Sequence, residues 1–200
     1  MARDENPFVG RGETFYNGGT IDATDLQGGH LLGRTYEFED INPSTGVQAS
    51  PMRVKCMLMR NLSNVTLYGK RLVQVNFTTC SISGFVDDEL TEGYVLDEYL
   101  PSTGLLDNDI GYIVIEGPTT MMTASTAVAT NIVAQKGWVV ALTVNTTSGN
   151  STAGRLAAID TNVATTPLAN TIINRIGRAL TAITASTSTS TDVRVLVGKW

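Results

Sequence analysis

Apolar and polar positions alternate in short runs along most of the chain. RTYEFED (34–40) alternates throughout, MRVKCMLM (52–59) alternates in part, and VTLYG (65–69) and RLVQVNF (71–77) follow at short spacing. Period-two patterning of this kind predicts strands with one buried face. IGYIVIEGP (110–118) is the clearest of them, and Gly117-Pro118 is expected to end its pairing because proline offers no N–H. GWVVALTV (137–144) predicts a buried strand. DVRVLVGKW (192–200) alternates strictly, with Val193, Val195 and Val197 on one face and Arg194 and Leu196 on the other.

Helical spacing is weaker. Thr123 to Gln135 places Ala, Val and Ile at helix-like intervals among many Thr and Asn. TIINRIGRALTAI (171–183) has Ile172, Ile176, Leu180 and Ile183 at helical steps. Gly177 and the β-branched residues oppose a helix there, so two short strands about a bend are the competing reading. Short strands separated by Gly, Asn and Asp turns predict an all-β antiparallel sandwich or small barrel, with a jelly roll among the possible topologies. ASTSTSTD (185–192) is a low-complexity stretch that suits a hairpin connection.

Residues 1–30 break this pattern. They are rich in Gly, Asn and Asp, with apolar residues placed singly (Phe8, Val9, Phe15, Tyr16, Ile21, Leu26). Such a stretch predicts an extended N-terminal arm before a single β-rich domain over 31–200. Its aromatics would dock on a partner, or the terminus would fold back over its own domain.

Two hundred residues fit one domain with an arm, and 42% hydrophobic residues suffice for a core. Charged residues make up only 16%, while Ser and Thr supply about a fifth. The chain contains no uncharged apolar run of about 18 residues, so no transmembrane helix is expected. MARDENPFVG lacks the apolar core of a secretory signal. No membrane partner follows from either feature.

Charge is sorted along the chain. Residues 1–71 carry eight basic and eight acidic residues. Residues 72–135 carry nine acidic residues and no Lys or Arg, and residues 136–200 carry six basic residues against Asp160 and Asp192. The acidic block is either a solvated face or a surface that meets the basic end of a neighbouring subunit. A net charge of −5 argues against nonspecific binding to nucleic acid.

Candidate chemistry is sparse. One histidine, His30, and two cysteines, Cys56 and Cys80, exclude a disulfide scaffold and any site needing two histidines. GNSTA (149–153) falls one Gly short of a nucleophile elbow. VDDELTEGYVLDEYL (86–100) supplies carboxylates for a glycosidase-like pair, but without the Trp richness of a sugar cleft. DNDIGY (107–112) begins like a calcium loop yet lacks the later ligands, and a turn before the 110–117 strand explains it. Five Asn-x-Ser/Thr sequons, at Asn61, Asn64, Asn76, Asn145 and Asn150, are a product of composition and do not set the compartment. No catalytic residue, cofactor or metal is expected.

The run VLDEYLPSTGLLDNDIGYIVIEGP (95–118), through AQKGWVVALTV (134–144) and INRIGRALTAI (173–183) to DVRVLVGKW, resembles tailed-bacteriophage capsid decoration (cement) proteins. The shared features are a strand ending in a Gly-Pro corner, a Gly-led strand after it, and an Ile-Gly-x-Ala-Leu segment before a terminal alternating strand. The resemblance covers about residues 95–200 and supplies no catalytic residues. It implies a structural protein on the outer capsid surface of the virion, made in the host cytoplasm. Its partners would be the major capsid protein and copies of itself, as a homotrimer, with no direct contact to nucleic acid.

Position then suggests Phe8, Arg11, Phe15, Tyr16 and Arg34 for capsid contact. Asp87, Asp88 and Glu89 would face Arg175 and Arg178 between subunits. The rival readings are a head-fibre or tail-tube component, a glycan-binding β-sandwich module using Tyr94, Tyr99 and Trp138, and a carboxylate hydrolase using Asp88 and Glu89.

Overall fold

A computed structural model describes residues 11, 12, 14, 31–84, 93–122, 133–134, 139–142, 156–158, 175–181, 183–184 and 192–198. Twelve strands are described: β1 (Thr35–Ile41), β2 (Gln48–Asn61), β3 (Leu72–Asn76), β4 (Ser81–Gly84), β5 (Gly93–Leu96), β6 (Ile110–Met122), β7 (Val133–Ala134), β8 (Val139–Leu142), β9 (Leu156–Ala158), β10 (Arg175–Ala179), β11 (Ile183–Thr184) and β12 (Asp192–Val197). The fold is all-β, as the alternation predicts.

Ten strands join in the order β1-β2-β4-β3-β5-β6-β12-β10-β8-β9, and β7 and β11 form a separate pair. A further pairing of β2 with β6 closes β2, β4, β3, β5 and β6 into a ring. Every pairing is antiparallel except β2 with β4. The result is a small five-stranded barrel with an antiparallel layer running out from it.

Strand periodicity divides the apolar residues between two cores. Met59, Val73, Ile82, Tyr94, Leu96 and Ile113 come from all five ring strands and pack together with Leu67 and Leu105 from the loops, which makes this the barrel interior. Residues of the opposite parity, including Cys56, Leu58, Leu72, Val95, Tyr112 and Val114, pack outward against Val193, Val195 and Val197 of β12. Tyr112 is 1% exposed. Its ring meets Tyr36 and Phe38 of β1 edge-on, with centroids 6.0 and 5.2 Å away, the geometry the ring quadrupoles favour.

The structure corrects two strand expectations. VTLYG (65–69) is not a strand; only Leu67 forms a bridge, to Leu105, and the segment packs as a loop over the barrel end. Gly117-Pro118 does not end β6, which continues to Met122. At this point the strand changes partner, from Lys55 opposite Glu116 to Val197 opposite Gly117. Pro118 therefore lies beyond the β2 ladder, where a missing N–H is tolerated.

Gly117 makes the handover possible. Its φ is +106°, and a Cβ there would lie 2.5 Å from the Arg53 carbonyl oxygen. Gly117→Ala is expected to cost about 1–3 kcal/mol through this strained backbone and contact, read as a lower urea midpoint at unchanged slope.

The described part of the 171–183 segment is in strands: β10, a bend at Leu180 and Thr181, then the start of β11. The stretch 123–132 and the connection 185–191 lie outside the described residues.

Candidate functional site

Among the described residues, a dense polar arrangement grows from the end of β5. Its apolar run Tyr94-Val-Leu96 leads into Asp97 and Glu98, and the Asp97 N–H donates to the Tyr112 carbonyl across the ladder to β6. This places the Asp97 side chain inward, fully buried. Asp40 arrives from β1, on the same face as Tyr36 and Phe38. There Ala49 to Met52 bulge out of β2 opposite it, because the register passes from Glu39–Arg53 to Ile41–Gln48. Arg194 reaches in from β12, directly opposite Thr120 of β6.

Into this acidic corner comes Arg11. Its Nε and Nη2 donate to Asp97 Oδ1 at 3.2 and 2.8 Å, and the Gly12 N–H donates to Asp97 Oδ2 at 2.7 Å. The guanidinium lies 4.7 Å from the centre of the Tyr99 ring, a cation–π contact. It also approaches Glu98 at 3.5 Å and Asp40 at 3.6 Å. Arg194 donates to Glu98 Oε1 at 2.6 Å, to Thr120 Oγ1 at 3.2 Å, and to Asp40 Oδ2. Two guanidiniums thus face three carboxylates in a buried cluster.

Burial pushes the Asp97 carboxyl above the usual carboxylate range, opposed by Arg11 and the Gly12 N–H. Burial works against the charge on Arg11, yet the Asp97 and Glu98 carboxylates leave its pKa raised. Arg194 is likewise raised, with Asp40 and Glu98 outweighing burial. The cluster can grip and orient an Arg-Gly dipeptide.

Gly12 belongs to that recognition. Its φ is +81°, and a Cβ would sit 2.6 Å from the Tyr99 carbonyl oxygen, so only glycine fits.

These contacts correct the expectation for Arg11. Placed by sequence on an arm for capsid contact, it is 4% exposed and committed to the body. The acidic block is also not simply a solvated face, since Asp97, Glu98 and Asp109 are buried. Of the other expected contact residues, Arg34 is exposed at the start of β1 and Arg178 is exposed on β10. Arg175 lies in β10 as backbone. Phe8, Phe15, Tyr16, Asp87, Asp88 and Glu89 lie outside the described residues, as do His30, Trp138 and GNSTA (149–153). Tyr94, considered for glycan stacking, is buried in the barrel against Phe77.

A second polar knot secures one end of the barrel. Asn61 is fully buried; its Nδ2 donates to the carbonyls of Val65, Leu105 and Leu106 at 2.8–3.0 Å, and its Oδ1 accepts from Ser63. Asn61 therefore cannot serve as a glycan acceptor in the folded chain. DNDIGY forms the expected turn before β6, with Asn108 at φ +70° and Asp109 accepting from the Leu106 N–H. The loops held together by Asn61 carry Leu62, Val65 and Leu106 exposed, with Tyr68 exposed on the same 62–68 loop. No signal in the sequence pointed to these loops.

The cysteines differ in environment. Cys56 is fully buried, and burial pushes its thiol far above the ordinary range. Cys80 sits half-buried in the β3–β4 turn at φ +50°, its Sγ donating to the Phe77 carbonyl at 3.6 Å. A thiol-specific disulfide reagent is expected to titrate Cys80 alone in the native chain and both cysteines in denaturant. Rapid native reaction of Cys56 would contradict this assignment.

Among the described residues, no group of three or more His, Cys, Asp or Glu is placed to hold a metal ion. No protein-family model matches the sequence, and comparison with curated proteins finds no relative. What the structure defines is the class: an all-β chain built on a small barrel, with a buried ionic socket and exposed apolar side chains on the loops braced by Asn61.

Proposed function

We propose that the chain is a structural virion protein that binds the outer surface of an icosahedral phage head and stabilises contacts between major capsid subunits. The observation that carries this reading furthest is the exposure of Leu62, Val65, Tyr68 and Leu106 on loops cross-braced by Asn61. Exposed apolar side chains on loops tied together by hydrogen bonds suit a protein–protein contact. The Asn61 bonds hold the loops in place before any partner arrives, which lowers the ordering cost of binding. The resemblance of residues 95–200 to decoration proteins supplies the kind of partner.

The mechanism is linkage: a ligand that binds the assembled lattice but not free subunits stabilises the lattice, summed over many copies. Arg34 remains exposed for polar contact at such a surface, and Arg178 for contact between subunits.

The test is density-gradient fractionation of particles followed by copy-number mass spectrometry. Hundreds of copies travelling with filled heads, and loss of that association in Leu62→Asp/Val65→Asp, are expected. A handful of copies would indicate a tail or vertex component, and absence from particles would refute the virion reading.

A further inference from the structure

We propose that the buried acidic socket of Asp40, Asp97, Glu98 and Tyr99 is an exchange site, filled in the assembled protein by Arg11-Gly12 of a second copy of this chain. The inference does not depend on whether the protein binds a capsid.

The socket reads a dipeptide. Two guanidinium bonds and one backbone N–H reach the same carboxylate, an aromatic face covers the cation, and the next position admits only glycine. Arg11-Gly12 is the one Arg-Gly pair in the sequence. The matching ligand is therefore supplied by the chain itself.

The bonds do not require that it come from the same copy. The residues gripped are 85 and 86 positions away from Asp97. Between Thr14 and Leu31 the sequence holds sixteen residues, enough to span about 60 Å when extended. A neighbour's Arg11-Gly12 would make the same contacts, which is why exchanging an element between protomers is a low-cost route to assembly.

The charge balance makes occupancy obligatory. Without Arg11, three buried carboxylates face Arg194 alone, and uncompensated buried charge is strongly destabilising. In the occupied socket Arg11 Nη1 and Asp40 Oδ1 stand 3.6 Å apart and neither has a hydrogen-bond partner. Buried ionic groups of this sort are best attested as devices that fix register and partner.

The experiment uses the wild-type chain. It is unfolded in urea and refolded alone, with excess peptide covering residues 1–14, or with that peptide carrying Arg11→Ala; mass is then read by size exclusion with light scattering. The expected result is an oligomer alone and with the substituted peptide, and a mass falling to that of one peptide-bound chain with the natural peptide. A monomer at every concentration overturns the proposal. So does an oligomer indifferent to the natural peptide, or one that responds equally to both.

Discussion

Arg11→Ala is expected to lower the stability of the folded chain by about 3–5 kcal/mol, the cost of removing one partner from a buried ion pair. That is a large part of the roughly 5–15 kcal/mol that holds a domain folded. The effect carries a pH signature. Arg11 is a main influence holding the Asp97 carboxyl down against its burial. Without it, the native pKa rises further above the unfolded value. Between those two values the native state binds more protons, so stability falls as pH rises through the window and is recovered below it. Urea melts should show a larger deficit against wild type at about pH 8 than at about pH 5. Equal deficits would mean that Arg11 does not compensate the cluster.

Tyr112→Ala is the second large effect, at about 3–5 kcal/mol for emptying an aromatic site in a packed core. Tyr112 is buried on β6, opposite Leu58 of β2, with the edges of Tyr36 and Phe38 against it. Removing it opens a cavity where β1, β2 and β6 converge and takes away the ring that both Tyr36 and Phe38 meet edge-on. Phe77→Ala is the matched control. That ring is about half exposed and touches Tyr94 at one edge, so its loss should cost about 1 kcal/mol or less. Comparable losses at the two positions would contradict the assignment of the outer core.

The contrast between these residues shows which parts of the fold were legible. Val193, Val195 and Val197 alternate without interruption, and β12 buries that set. The period of a half-buried strand is local, so β1 and β12 can be read directly. Strand β4 is four residues of Ser, Ile and Gly, and it is defined by its neighbours β2 and β3 rather than by its own pattern. The extent of β6 was hidden because a Gly-Pro pair signals an end locally, whereas a change of partner lets the strand continue.

The ionic socket was illegible for a different reason. Asp97 and Glu98 read as two more acids in an acidic block, and their cations lie 86 and 96 residues away. Asp40 and Arg194 are 154 apart. No window on the sequence joins them. One faint signal was present: Asp97 and Glu98 directly follow the apolar run of β5, where a solvated charge would be out of place. Asn61 is similar, a sequon by its neighbours and a loop brace by its contacts.

Strands β2 and β6 belong to both the closed ring and the outer layer, and each contributes side chains to both cores. Neither layer can come apart while leaving the other whole, because the same two backbones would have to be both ordered and melted. The slowest-exchanging amides should therefore form one set along β2 and β6, and ring and outer layer should be lost in a single cooperative event.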